Sequence, residues 1–240
     1  HRKGAELVVT VDCGISSHQA AQHAADLGLQ LIVTDHHTMS EDLPVAAAIV
    51  HPGLPGCHPL LKNLSGAGVA LKVAWALCQV ASRANQPNGA ASGGKVTPAM
   101  RQFLMMAIGW AAIGTVADVV PLVGENRILV HYGVACLKND CGLGLQQLMR
   151  VTQLDEKVRL RADDIGFTLA PRLNAAGRLG QAALAIELMV TNDPARALAL
   201  AEYVHQLNVS RDSLDRKIYN AAKKELQEKH DPDNDPAIVL

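Results

Sequence analysis

The strongest constraint in this chain is a pair of short apolar runs that each stop on an aspartate. Glu6 to Val11 (ELVVTV) ends at Asp12-Cys13-Gly14, and Leu29 to Thr34 (LQLIVT) ends at Asp35-His36-His37. Between them Ser16 or Ser17 opens a helical stretch that Gly28 closes, the residue types that favour a helix start and a helix stop. A third run, Ala46 to Val50, follows. Continuously apolar, β-branched strands separated by a helix predict βαβ units and a parallel sheet covered on both faces. In such sheets the polar residues just past the carboxyl ends of the strands line the ligand crevice. Asp12 and the Asp35-His36-His37 triplet both occupy that place.

The rest of the chain predicts mostly helix. Gly66 to Ala84 is helical in pattern behind Ser65, and Pro98 suits the first turn of a helix running toward Ala117. Asn126 to Leu137 reads as another, and from about Gly144 the pattern is all helical, with Arg172 to Arg178 as a loop-like interruption. Asn85 to Thr97 predicts an exposed, mobile loop and Asp231 to Pro236 a linker. The expected organisation is an α/β domain over residues 1–143, a helical connector over 144–235 and a strand beginning at 236–240. The most apolar stretch, Phe103 to Val123, is interrupted by Gly109, Gly114, Thr115, Asp118 and Pro121. It therefore predicts a core helix, not a membrane span.

Composition narrows the function classes. Lys and Arg number 22 against 23 for Asp and Glu, which argues against a broad basic surface yet leaves room for a narrow groove lined with Arg. Five cysteines without a close pair argue against a disulfide framework and a structural zinc site, and predict reduced thiols in the cytoplasm. No G-x-G-x-x-G follows the first strand, which disfavours a dinucleotide site.

Carboxylates and imidazoles converging at strand ends suit a hard to borderline divalent cation such as Mn²⁺ or Mg²⁺. Asp118, ending an otherwise apolar stretch, joins Asp12, Asp35, His36 and His37 in that set. Gly66 and Gly68 suit either close backbone approach to a phosphate or tight packing. His51, His58 and His131 read as structural or surface residues, and Trp75 and Trp110 as core.

Val11-Asp12-Cys13-Gly14 and Thr34-Asp35-His36-His37 resemble motifs of the DHH phosphoesterases. Ser65 to Ala70 with Lys72, Ala117 to Leu122, and Ala170 to Leu179 (APRLNAAGRL) resemble further motifs of the branch that degrades single-stranded DNA from its 5′ end in repair and recombination. The resemblance runs over nearly the whole chain. It implies metal ligation by Asp12, His36 and Asp118, with Asp12 bridging two ions. It places His37 against the scissile phosphate or the metals, with Asp35 behind to orient a histidine. It implies substrate contacts from Arg172, Asn174 and Arg178, and from Ser65, Gly66 and Gly68. It also implies single-stranded DNA as substrate, with a single-strand-binding protein and a helicase as partners. The family's first, Asp-x-Asp motif and its C-terminal domain do not occur in these residues. The expectation is therefore a window on a longer enzyme that is inactive by itself and holds at most one ion well. Two other outcomes stay open: another DHH phosphoesterase, such as an oligoribonuclease or nucleotide phosphatase, or a non-catalytic scaffold of the same fold.

Overall fold

The computed structural model describes residues 4–84 and 96–229. Residues 85–95 of the expected 85–97 loop, the linker over 231–236 and the strand expected at 236–240 lie outside them. The described chain is α/β, a parallel sheet followed by helices, and divides into two compact units.

Unit 1 comprises residues 4–142 and 154–170. Strands β1 (Leu7–Val11), β2 (Gln30–Thr34) and β3 (Ala48–Val50) are parallel in the order β1-β2-β3. The register pairs Val11 with Thr34, and Thr34 with Val50. Asp12, Asp35 and His51 therefore leave the sheet side by side. Helix α1 (His18–Asp26) covers one face through Ala21, packed on Leu31 and Val33 with Val8, Ala46 and Ile49. Coverage of both faces does not hold along β1. Among the described residues Leu7, Val9 and Val11 are each about half exposed, alternating to the side away from α1's core.

Helices α2 (Gly66–Ala84), α3 (Pro98–Ala117) and α4 (Gly124–Asn139) form the second layer. Thr97 opens α3, its hydroxyl accepting from the Met100 N–H, and Pro98 occupies the first turn. By length and mean hydropathy α3 is apolar enough to cross a membrane. Here it packs against both α2 and α4. Small residues allow that approach: a Cβ on Gly133 would lie 2.3 Å from the Ala112 methyl. The shared core is Leu64, Val69, Leu71, Leu104, Ala107, Ala111 and Leu129, with Trp110 packed against it. Trp75 is 45% exposed, contrary to the expectation of a core residue. It lies at the edge of the layer under Lys72, whose ammonium is 5.2 Å from the ring.

Unit 2 comprises residues 143–153 and 171–229. Helices α5 (Leu143–Val151), α8 (Ala182–Val190) and α9 (Pro194–Lys229) pack on one another. Gly144 is pressed against the Leu188 carbonyl, where no side chain fits. Asp193 caps α9 by accepting from the Ala195 N–H at 2.9 Å.

Two helical expectations need correction. The chain is not helical throughout from Gly144, because Gln153 turns to φ 59° and ends α5, and residues 154–161 carry no helix. Conversely, Arg172 to Arg178 is helix α7 (Ala170–Arg178), not a loop. Pro171 and Gly177 read as breakers in sequence. In the fold a wide π turn over Ile165–Leu169 precedes Pro171, which has no N–H to donate, and fully buried Ala175 and Ala176 anchor the helix. The short helix α6 (Ala162–Asp164) precedes that turn.

Candidate metal centre

The centre forms where β1, β2 and α3 end. Asp12 follows β1 with φ 63°, and its N–H donates to the Thr34 carbonyl at 2.9 Å. That left-handed backbone is uncommon outside glycine but tolerated by aspartate. Gly66, at the start of α2, makes room for the carboxylate: a Cβ there would lie 2.1 Å from Asp12 Oδ1. Asp118 closes α3, its N–H donating to the Gly114 carbonyl at 2.9 Å. Val119 beside it has φ 59°, a strained value for a β-branched residue.

His36 sits between the two carboxylates. Its Nε2 is 3.1 Å from Asp12 Oδ1 and 3.4 Å from Asp118 Oδ2. Yet that nitrogen is buried and aligned with neither as a hydrogen bond. A buried nitrogen without a hydrogen-bond partner is costly. An orphaned imidazole nitrogen facing two carboxylates is the donor set a divalent cation satisfies. His37 joins the group: ligand atoms of Asp12, His36 and His37 all lie within 4.8 Å of one another.

Asp35 is built differently. Its side chain is 2% exposed. Oδ2 accepts from the Ile15 N–H at 3.0 Å, and Oδ1 accepts from the His36 N–H at 2.8 Å, the His37 N–H at 3.2 Å and His37 Nδ1 at 2.7 Å. Burial alone would raise its pKa, but these four donors together outweigh it and hold the carboxyl at about 2. The histidine it orients is His37, not His36. Its hydrogen bond in turn raises the His37 pKa, with the Asp12 and Asp118 charges acting the same way. With Nδ1 engaged, His37 presents Nε2 outward from a ring that is 58% exposed.

His51, which looked merely structural in sequence, supports this arrangement. It is buried, its Nε2 lies 2.8 Å from the His37 carbonyl oxygen, and its Nδ1 accepts from the Gly53 N–H at 2.9 Å. The only sequence signal was its place just after the third strand, in line with Asp12 and Asp35.

The remaining predicted residues fall into two groups. Ser65 is buried; its hydroxyl contacts Thr115 Oγ1 at 2.8 Å and accepts from the Gly68 N–H at 3.1 Å, so it caps α2. Gly68 packs under Leu64. In unit 2, Asn174 and Arg178 are exposed one turn apart on α7, whereas Arg172 is half-buried and donates from Nε to His205 Nδ1 at 3.0 Å.

Residues 2–108 match the family profile described as the DHH family, N-terminal domain. Those residues, a little under half of the chain, are similar to that domain. Outside the profile the likeness continues. The single-stranded-DNA-specific exonuclease RecJ of Dickeya dadantii (strain 3937) is 42% identical over 216 residues, 89% of this chain and 36% of that protein. Among solved structures, an exonuclease RecJ bound to manganese has a TM-score of 0.76 at 35% identity, covering 95% of this chain and 52% of that one. RecJ from Thermus thermophilus in complex with Mg²⁺ has a TM-score of 0.66 at 32% identity, covering 95% and 29%. The chain spans about a third of the length of the curated relatives it matches. The matched residues end within α3, so Asp118 lies just beyond them.

Proposed function

We propose that this chain carries part of the active site of an exonuclease that hydrolyses phosphodiester bonds of single-stranded DNA from the 5′ end. The observation that carries this reading is the orphaned His36 nitrogen between Asp12 and Asp118. In it, residues 1–143 form the DHH domain, the described helices of unit 2 serve as a connector, and the enzyme works in the cytoplasm. The five cysteines, all free, fit a reducing compartment.

Asp12, His36 and Asp118 would hold the ion. A bound Mn²⁺ or Mg²⁺ supplies Lewis-acid polarisation of a phosphoryl oxygen and lowers the pKa of a water beside it. The protein supplies position. Asp35 keeps a proton on His37 Nδ1 and leaves Nε2 to meet a phosphate oxygen as charge develops there. Gly66 gives the Asp12 carboxylate its place. Asn174 and Arg178 are suited to contacting the DNA backbone from one face of α7, and Arg172, half-buried against His205, lies on the same helix. A single-strand-binding protein and a helicase are the partners such an activity calls for.

Calorimetric titration with Mn²⁺ tests the centre. The chain should bind the ion, and His36→Ala should abolish binding while circular dichroism stays unchanged. Equal binding by both proteins would refute the assignment. Adding long single-stranded DNA or dinucleotides to a protein that also carries the remaining length of the relatives would decide the substrate class.

A further inference from the structure

Unit 1 carries a second feature that the metal centre does not use. A groove of about 740 Å³ runs between α4 and the irregular stretch at 154–161. A recess of about 210 Å³ shares Val130 and His131 with it and adds Leu122 and Arg127. Their basic lining is Arg127, His131, Lys138, Arg159 and Arg161, and neither contains an aspartate or glutamate. In a chain of net charge −1 the four Arg and Lys side chains are a local concentration of cations.

The arrangement is regular. At 100° per residue, Arg127, His131 and Lys138 fall within about 40° of one another on α4 and span about 16 Å along its axis. Arg159 and Arg161 line the opposite wall. Among the described residues none of Arg127, Lys138, Arg159 and Arg161 is paired with a carboxylate. Lys138 Nζ donates to the Asp155 carbonyl. Tyr132 stands 61% exposed on the same lining, its ring edge-on to His131 at 5.1 Å. Val130, Val134 and Leu160 provide an apolar floor, with Val158 exposed at the rim.

A row of cations over about 16 Å suits a polyanion better than a single small anion. An exposed aromatic face beside that row suits stacking with a base. Continuity favours the same ligand: Asp118 of the metal centre is followed within four residues by Leu122, which lines the recess where the basic row begins. We infer that this groove binds the phosphodiester backbone of a single-stranded polynucleotide, its cations on successive phosphates and Tyr132 against a base. The inference rests on the nuclease reading, since it assigns the groove to the same strand.

Fluorescence anisotropy with a labelled oligothymidylate in EDTA tests it. Between about 50 and 200 mM salt the binding constant of the chain should fall steeply. Arg159→Glu combined with Arg161→Glu should weaken binding at least about ten-fold and flatten the salt dependence by about 0.7 for each phosphate no longer neutralised. Tyr132→Ala should weaken binding about ten-fold with the salt slope unchanged. Lys223→Glu, on an exposed site of α9, should do neither. Circular dichroism and Mn²⁺ titration check that the groove variants remain folded. Absence of oligothymidylate binding by the parent chain, or equal binding by the groove variants, overturns the inference. So does loss of binding to a poly-glutamate peptide with DNA binding retained, which would make the groove a protein site. Failure of the parent chain to bind Mn²⁺ would instead strike the nuclease reading, a result separable from binding in EDTA.

Discussion

Asp12 and Asp35 occupy equivalent positions, each the first residue after its strand, on neighbouring parallel strands in register. They have opposite fates. The Asp12 side chain is 56% exposed, and its carboxylate approaches only an imidazole that makes no hydrogen bond to it. The Asp35 side chain is 2% exposed and accepts four hydrogen bonds. One is an open carboxylate, a candidate ligand; the other is a keystone already satisfied. The difference lies in what surrounds each strand end. The end of β2 is enclosed by the turn at Ile15 and by the triplet's own backbone, whereas among the described residues the end of β1 is open.

The largest effect should separate the two aspartates outright. Asp35→Ala leaves the Ile15 N–H and His37 Nδ1 without their acceptor, at a cost of about 3 kcal/mol, or roughly 10 °C in thermal midpoint. Asp12→Asn should leave the midpoint nearly unchanged while Mn²⁺ affinity falls beyond the roughly 10- to 100-fold typical of losing a supporting group. Similar midpoints for both variants would erase the distinction.

Acid titration should sharpen it. The folded-state pKa of Asp35 is about 2 against an ordinary 3.8. A lowered carboxyl pKa contributes stability above the unfolded value and loses it as pH falls through the folded value. The contribution is about 2 kcal/mol near neutrality, shrinking from about pH 4 down to about pH 2. Urea unfolding of the chain and of Asp35→Asn across that range should show their difference narrowing over the same interval. A constant difference would show that the carboxylate charge is not what matters.

The smallest effect concerns the space given to Asp12. Gly66→Ala places a methyl 2.1 Å from the present Oδ1 position. The side chain must turn away from His36, and Mn²⁺ affinity should fall about ten-fold, the lower end of what losing a supporting group costs, while the helical signal of α2 persists. Unchanged affinity would show that Asp12 has another productive rotamer.

Much of the fold was legible in the sequence because the signals were local. Apolar runs marked β1 and β2, Gly28 at φ 71° ended the turn after α1, and Pro98 marked the first turn of α3. The candidate set was legible because its members follow the ends of elements. Other features depended on distant partners. Pro171 and Gly177 looked like breakers until buried Ala175 and Ala176 anchored α7. Trp75 had helical apolar spacing but lies beyond the edge of the layer. His51 carried no motif, and its contact with the His37 carbonyl exists only because β3 pairs with β2. Ser65 and Gly68, grouped in sequence with phosphate binders, are absorbed into the start of α2.

By itself the sequence determined which residues could bear the chemistry: an acidic or imidazole side chain at the end of each element, with α/β periodicity to bring those ends together. Tertiary structure alone decided how the work is divided among them. The turn at Ile15 and the triplet's backbone enclosed Asp35, Gly66 left the space Asp12 fills, and α3 brought Asp118 beside His36. Burial and hydrogen-bond geometry are properties of neighbours distant in the chain, so two aspartates alike in sequence became a buried support and an open carboxylate.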